Sequence, residues 1–175
     1  MFIIRPETPA DRAAVRTIQA EAFAAPAEAD LVAALRSAGL ASISLVATVN
    51  AQAVGHVLLS PVSLHGVCTA DGGLGLAPLA VLPGRQGRGI GSWLVVAAIA
   101  AARRLGARYL VVLGEAAFYA RFGFEAATRY GLDNEYGAGD AFQVLALRPG
   151  ALPPEGGLIR YAPPFAELAD TGPDA

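Results

Sequence analysis

One cysteine, Cys68, stands in a chain of 175 residues, so no disulfide can close within it and a reducing compartment is the expected setting. Cys68 reads as a loop thiol rather than a nucleophile. Charge is scarce too. Charged residues make up 16% of the chain, the formal net charge is −2, and no basic patch stands outside one short arginine-bearing loop. That balance argues against nucleic-acid binding. The two histidines, His56 and His65, have no ligand cluster around them, so no metal site is expected. Long apolar runs are missing. Trp93 to Ala102 is the longest uncharged one, well short of the roughly 20 residues of a membrane span. The opening Met1-Phe2-Ile3-Ile4-Arg5-Pro6 places its arginine after a brief apolar stretch, the reverse of a secretory leader. These absences lead to the expectation of a soluble, cytoplasmic protein with no membrane partner.

Hydrophobic residues make up 54% of the chain, enough for one domain with a sizeable core. The organising stretch is Leu79-Ala80-Val81-Leu82-Pro83-Gly84-Arg85-Gln86-Gly87-Arg88-Gly89-Ile90-Gly91-Ser92-Trp93-Leu94. An apolar run is stopped by proline and glycine, crosses a glycine loop with two arginines, and continues as a long helix-forming run. Glycines let a ligand approach the backbone closely. The first N–H groups of a helix lack internal partners and carry the positive end of its dipole. Arg85 and Arg88 add charge and donors. The reading is a phosphate site, with a pyrophosphate the best match.

Three phosphate loops can be compared. A Walker A loop needs Gly-Lys followed by Ser or Thr, and this loop carries no lysine. A dinucleotide fingerprint needs G-x-G-x-x-G, and Gly87-Arg88-Gly89-Ile90-Gly91-Ser92 places serine at the third glycine. Glu115 would serve there as the ribose-binding acid, so an NAD-binding oxidoreductase stays open as an alternative. The third loop fits best. Gln86-x-x-Gly89-x-Gly91, after a strand and opening a helix, resembles the acetyl-CoA loop of the GNAT superfamily of N-acyltransferases. A second segment, Phe118-Tyr119-Ala120-Arg121-Phe122-Gly123-Phe124, is similar to the tyrosine–Gly-Phe segment after that superfamily's fifth strand. Together with Gly55-His56-Val57-Leu58-Leu59-Ser60-Pro61-Val62, it resembles a bacterial, YhbS-like subgroup.

Taken in order, Phe2 to Arg5 reads as a strand. Thr8 suits an N-cap, Pro9 a first helical position and Asp11 the positive end of a dipole. Val15, Ile18, Ala22 and Phe23 recur at helical spacing, and Pro26 ends that helix. A second helix spans Glu28 to Ala38, stopped by Gly39. Strands are expected at Ile43–Val49 and Val54–Ser60, joined by a turn at Asn50-Ala51-Gln52. His56 lies inside the second of these, as a hydrogen-bonded strand histidine or, less simply, a catalytic base. Leu74 to Leu82 is the fourth strand and carries Pro78, a break in its ladder. Ile90 to Leu105 is a helix apolar on every side and so expected to be buried. Tyr109 to Leu113 is the fifth strand. A short helix follows over Glu115–Arg121, then strands from Phe124 and over Ala141–Leu147. After Pro149, Leu158–Tyr161 can add a short strand, Pro163-Pro164-Phe165 tucks back, and Thr171–Ala175 reads as a frayed tail.

The resemblance implies an α/β (α+β) fold: a central mixed, mostly antiparallel sheet of about seven strands, flanked by helices and splayed between strands four and five. It implies an acyltransferase domain over residues 1–148, with 149–175 an extension on the same domain. It implies acetyl-CoA as acyl donor and no metal. The pantetheine would lie on Leu79, Ala80 and Val81, and the pyrophosphate on Gln86, Gly87, Arg88, Gly89, Ile90, Gly91 and Ser92. Tyr119 would protonate the departing thiolate, a phenol of pKa about 10 being close enough to a thiol to do so; Tyr109 and Tyr130 are the alternatives. A backbone N–H near Leu79–Val81 would meet the oxyanion. No base is visible: residues 74–82 hold no acid, a water relay or an amine that sheds its proton on entry would serve, and Glu115 and Glu21 are weaker choices. The acceptor would be an amine of a small molecule or protein, and Asp133, Glu135 and Asp140 either attract it or form a solvated acidic loop. A homodimer is in keeping with such relatives. A non-catalytic acyl-CoA sensor on the same fold stays open.

Overall fold

Alternation and capping explain the N-terminal elements. In the computed structural model, which describes residues 1–68 and 72–169, β1 (Ile3–Pro6) leads through a 3-10 turn at Pro9–Asp11 into α1 (Arg12–Phe23). Thr8 N–H and its hydroxyl both donate to Asp11 Oδ2 at 2.8 Å. Arg5 places two further bonds, 2.7 and 2.8 Å, on the same carboxylate, and these hold Asp11 well below the usual carboxylate range. The capping residues thus act one turn ahead of the α-helix proper. α1 packs on α2 (Ala27–Ser37), and Val15 and Ile18 of the one and Leu31, Val32 and Leu35 of the other are buried.

Among the described residues, one compact unit holds 1–59, 78–98 and those from Pro163 on; a second holds those within 60–77 and 99–162. In the first unit β1 runs antiparallel to β2 (Ile43–Val49), and β2 to β3 (Gln52–Pro61). The hairpin turns at Asn50 and Ala51, both at positive φ of 49° and 65°. A register shift after Ala47 re-aims the strand. β5 (Gly73–Val81) ends in this unit and feeds the glycine loop and α3 (Ile90–Leu105); β4 is the two-residue strand Ser63–Leu64.

In the second unit β6 (Tyr109–Leu113) lies parallel to the start of β5. That ladder is three pairs long, Gly73 with Tyr109, Leu74 with Leu110 and Gly75 with Val111. Pro78, three residues further along β5, has no N–H to donate. After α4 (Ala116–Ala120) come β7 (Glu125–Ala126), β8 (Leu132–Asn134), β9 (Phe142–Ala146) and β10 (Gly157–Arg160). β9 pairs with β6 along its whole length and with β7 on its other edge. The main sheet has seven strands in the order β1-β2-β3-β5-β6-β9-β7, with helices flanking it. A second sheet of three strands, β4-β10-β8, was not expected. The last described helix, α5 (Phe165–Ala169), packs on α2, so Phe165 does tuck back. The expected tail, 171–175, lies outside the described residues.

One expectation fails. α3 is not buried all round. Ile90, Leu94, Val95, Ala98 and Ala102 are buried, but Trp93 is 56% and Val96 42% exposed. A helix lying on a sheet buries a stripe, and apolar residues off that stripe meet solvent. No helix among the described residues is long and apolar enough to cross a membrane.

Candidate active site

The glycine loop is held by its own backbone and one side chain. Leu82 N–H reaches Val54 O at 2.9 Å, fixing the end of β5 to β3. Arg85 N–H donates to Leu82 O at 2.8 Å, closing a 3-10 turn over Pro83–Arg85. The Gln86 amide then folds back and donates from Nε2 to Val81 O at 3.0 Å. Gln86 therefore pins the loop to the strand with its side chain. Gly87 and Gly89 sit at φ of 71° and 80°, which L residues rarely adopt, and nothing crowds either position within contact distance except Trp93 Cδ1, 4.0 Å from where a Gly89 Cβ would lie. Trp93 N–H is taken by Gly89 O at 3.1 Å, and the N–H groups of Ile90 and Gly91 ahead of it have no carbonyl one turn back. Gly91 faces Val81, whose Cγ2 lies 3.8 Å from the position of its missing Cβ. Ile90 is buried and Ser92 half-buried. Among the described residues neither Arg85 nor Arg88 makes an ion pair. N–H groups without carbonyl partners at the start of α3, two guanidiniums without ion pairs among the described residues, and glycine at 87, 89 and 91 are the features an anion site requires. Leu79, Ala80 and Val81 stand directly before it on β5.

In the second unit β6 delivers the tyrosine segment. Gly114 N–H bonds Ala141 O at 3.2 Å, and Glu115 O accepts from Phe118 and Tyr119, starting α4. Tyr119 is 8% exposed, with edge-on contacts to Phe118 (4.9 Å) and Phe124 (5.6 Å). Burial pushes its phenol up to about 12. Gly114 is part of this arrangement. A Cβ there would lie 2.7 Å from Tyr119 Cε2, so the ring occupies the space that glycine leaves. That requirement was not legible in the sequence. Of the alternatives, the Tyr109 ring occupies the space a Gly73 side chain would take, at the other end of β6, and the Tyr130 hydroxyl is engaged with Glu125. Glu21 and Glu115 are both exposed. The acidic loop is less free than expected. Asp133 accepts from Asn134 N–H, Asp140 from the Thr128 hydroxyl, and Glu135 from Tyr161 N–H.

The first unit also holds a buried polar chain that the sequence does not announce. His56 is fully buried on β3. Gln19 Nε2 donates to its Nδ1 at 2.8 Å, and its Nε2 stands 2.8 Å from Ser44 Oγ. Ser44 donates to Glu7, and Arg36 donates to the other oxygen of the same carboxylate. With Gln19 assigned as donor, His56 is the Nε2–H tautomer and hydrogen bonds run one way to Glu7. His56 is thus the bonded strand histidine, enclosed by partners. Burial lowers its pKa despite the pull of Glu7. For Glu7, burial acts upward, but the imidazole of His56 close by, the hydrogen bond from Ser44 and the charge of Arg36 outweigh it and hold the pKa down. Both depressed values act on stability with the same sign. A group that resists protonation when folded stabilises above its unfolded pKa and loses that contribution as pH falls. The His56 loss begins below about 6.5, the Glu7 loss below about 4.5. The melting temperature is therefore expected to fall from pH 7 to pH 5, and a His56→Gln variant to show a flatter slope across that interval. An equal slope in both proteins would remove His56 from the explanation.

Comparison with known proteins points one way. Residues 41–126 match the model of the acetyltransferase (GNAT) domain. The chain is 36% identical over 162 residues to the N-acetyltransferase YhbS of Escherichia coli K12, covering 91% of this chain and 96% of that protein. The crystal structure of Escherichia coli YhbS in complex with CoA superposes with a TM-score of 0.89 at 35% identity, over 94% of this chain and 92% of the other. A GNAT family acetyltransferase from Brucella melitensis, in complex with acetyl-CoA, gives a TM-score of 0.80 at 37% identity, over 94% and 98%.

Proposed function

The chain belongs to the GNAT family of acetyltransferases, and on that premise we propose which residues carry out its acetyl-CoA-dependent transfer to an amine. The observation that carries the proposal is the loop after β5, with its positive-φ glycines and unclaimed N–H groups at the start of α3. The backbone of Leu79, Ala80 and Val81 takes the pantetheine, and one of its N–H groups meets the oxyanion. The N–H groups of Gly87, Arg88, Gly89, Ile90 and Gly91 take the pyrophosphate, with Ser92 completing the first turn. Gln86 holds the loop in shape. The donor supplies a thioester; the amine nitrogen, neutral on entry, bonds to its carbonyl carbon, the carbon–sulfur bond breaks, and the nitrogen's surplus proton leaves through water to solvent while the thiolate departs.

Tyr119 answers the charge that then develops on sulfur. A phenol that burial pushes up to about 12 stands above the usual thiol value of roughly 8.5, so full proton transfer runs uphill. Tyr119 therefore acts first as a hydrogen-bond donor to the forming thiolate. The proton follows late, or solvent supplies it. A bond to a charged partner contributes about 1.5–3 kcal/mol. Tyr119→Phe is accordingly expected to lower kcat by roughly 10- to 100-fold, with acetyl-CoA affinity and melting temperature unchanged. An unchanged kcat would take Tyr119 out of the reaction.

Residues 1–148 make up the transfer domain and 149–175 extend it, and the site of action is the cytoplasm. The acceptor is a primary amine of a small molecule or protein, without nucleic acid or membrane. Calorimetric titration with acetyl-CoA, with NADH as control, tests the donor. Binding of acetyl-CoA alone supports it, and binding of NADH alone overturns it. Acceptors then follow from release of free thiol across a panel of amines. The chain contains no lysine, so its own side chains do not compete as acceptors.

A further inference from the structure

Trp93 is the single tryptophan of the chain and its indole is 56% exposed on the first turn of α3. An exposed indole presents a flat apolar ring face to whatever lies beside the loop. Its position is defined by its neighbours. Gly91 faces Val81 of β5, and Ile90 and Leu94 pack toward Gly55 of β3. At 100° per residue, Trp93 is turned about 160° away from Gly91, onto the side of the turn remote from β5. It also borders the loop, with Cδ1 4.0 Å from the vacant Cβ position of Gly89. Val96, 42% exposed and one turn further on, continues the same apolar face. Arg85 and Arg88, without ion-pair partners among the described residues, stand on the loop just before it.

We infer that Trp93 is the stacking platform for the adenine of the acyl donor, with Arg85 and Arg88 placed for the ribose phosphate. The inference rests on the acetyl-CoA reading of the loop. The two arms of the donor leave the pyrophosphate in opposite senses. The pantetheine arm takes the β5 side, so the nucleotide arm takes the side where the indole lies. A purine is a flat apolar ring with a polarisable face, and an exposed indole is the surface that matches it. Base–aromatic stacking of this kind corresponds to roughly 5- to 100-fold in affinity.

The single tryptophan makes the test direct. The full chain is titrated with acetyl-CoA and with S-acetylpantetheine, which lacks the nucleotide, by calorimetry and by tryptophan emission. Acetyl-CoA is expected to quench the emission and S-acetylpantetheine to leave it unchanged. Trp93→Ala is expected to weaken acetyl-CoA binding by roughly 5- to 100-fold, and Trp93→Phe to recover part of the loss. Calorimetric binding of acetyl-CoA with unaltered emission, and with the same Kd in Trp93→Ala, would overturn the Trp93 assignment and leave the donor site standing. Absence of calorimetric binding would overturn the donor reading itself.

Discussion

A Gly91→Phe variant is expected to lose acetyl-CoA binding by at least about 100-fold, close to 3 kcal/mol, while melting within a few degrees of the parent chain. Gly91 is the cleanest position on the loop for this test. Gly87 and Gly89 occupy the left-handed region, so any side chain there adds backbone strain to whatever it blocks. Gly91 does not. It lies in the first turn of α3, and a Cβ would meet Val81 Cγ2 at 3.8 Å, an ordinary contact. Replacing glycine in a helix with phenylalanine also recovers roughly 0.5 kcal/mol of helix propensity. The fold therefore tolerates the change. The ring, however, fills the space between Val81 and the first-turn N–H groups, where the pyrophosphate and the start of the pantetheine have to lie. Gly91→Ala should give a graded loss, since one methyl group narrows the cradle without closing it. Calorimetry against acetyl-CoA and a thermal melt separate the two effects. Parent-like binding in a folded Gly91→Phe protein would mean that the cofactor does not pass over this turn.

The loop was legible because its demands are local. Strand, turn and helix follow one another within a few residues, and each is announced by proline, glycine or a change of hydrophobic period. The same holds for β2, α3 and β6, whose bounds at Ile43–Val49, Ile90–Leu105 and Tyr109–Leu113 match the sequence expectation. Long apolar or β-branched runs with sharp stops leave little choice. β4, β8 and β10 are different. Strands of two to four residues contain no period to read, and they form a sheet only because distant segments meet. Gly114 escaped notice for a related reason. Its role depends on the ring of Tyr119, which reaches back across the start of α4. The polar chain through His56 is less visible still. Its members come from the residue after β1, from α1, α2, β2 and β3, and no spacing in the sequence connects them.

That chain is where a single substitution should cost most in stability. Glu7→Ala removes the carboxylate that accepts from both Arg36 and Ser44 and that lies 3.5 Å from His56 Nε2. The side chains of Glu7 and Arg36 are only 7% and 18% exposed, so water replaces little of what is lost. Removing one partner of a buried ion pair costs about 3–5 kcal/mol, chiefly because a desolvated charge is left behind. Against a total stability of roughly 5–15 kcal/mol, that corresponds to a fall of about 6–20 °C in melting temperature for a chain of this length. The exposed pair Arg16–Asp30 is the control. Its 2.9 Å contact is as close as many buried pairs, but its side chains are 57% and 60% exposed, and Asp30→Ala should cost less than about 1 kcal/mol. A second variant separates the lost contact from the stranded charge. If the cost is mainly the unpaired guanidinium, Glu7→Ala combined with Arg36→Met should be more stable than Glu7→Ala alone, because no buried cation remains. If the double variant is no better, the stabilising role belongs to the bond from Ser44 rather than to the ion pair, and Glu7→Gln, which keeps an acceptor for Ser44 without the charge, should then retain most of the parent stability.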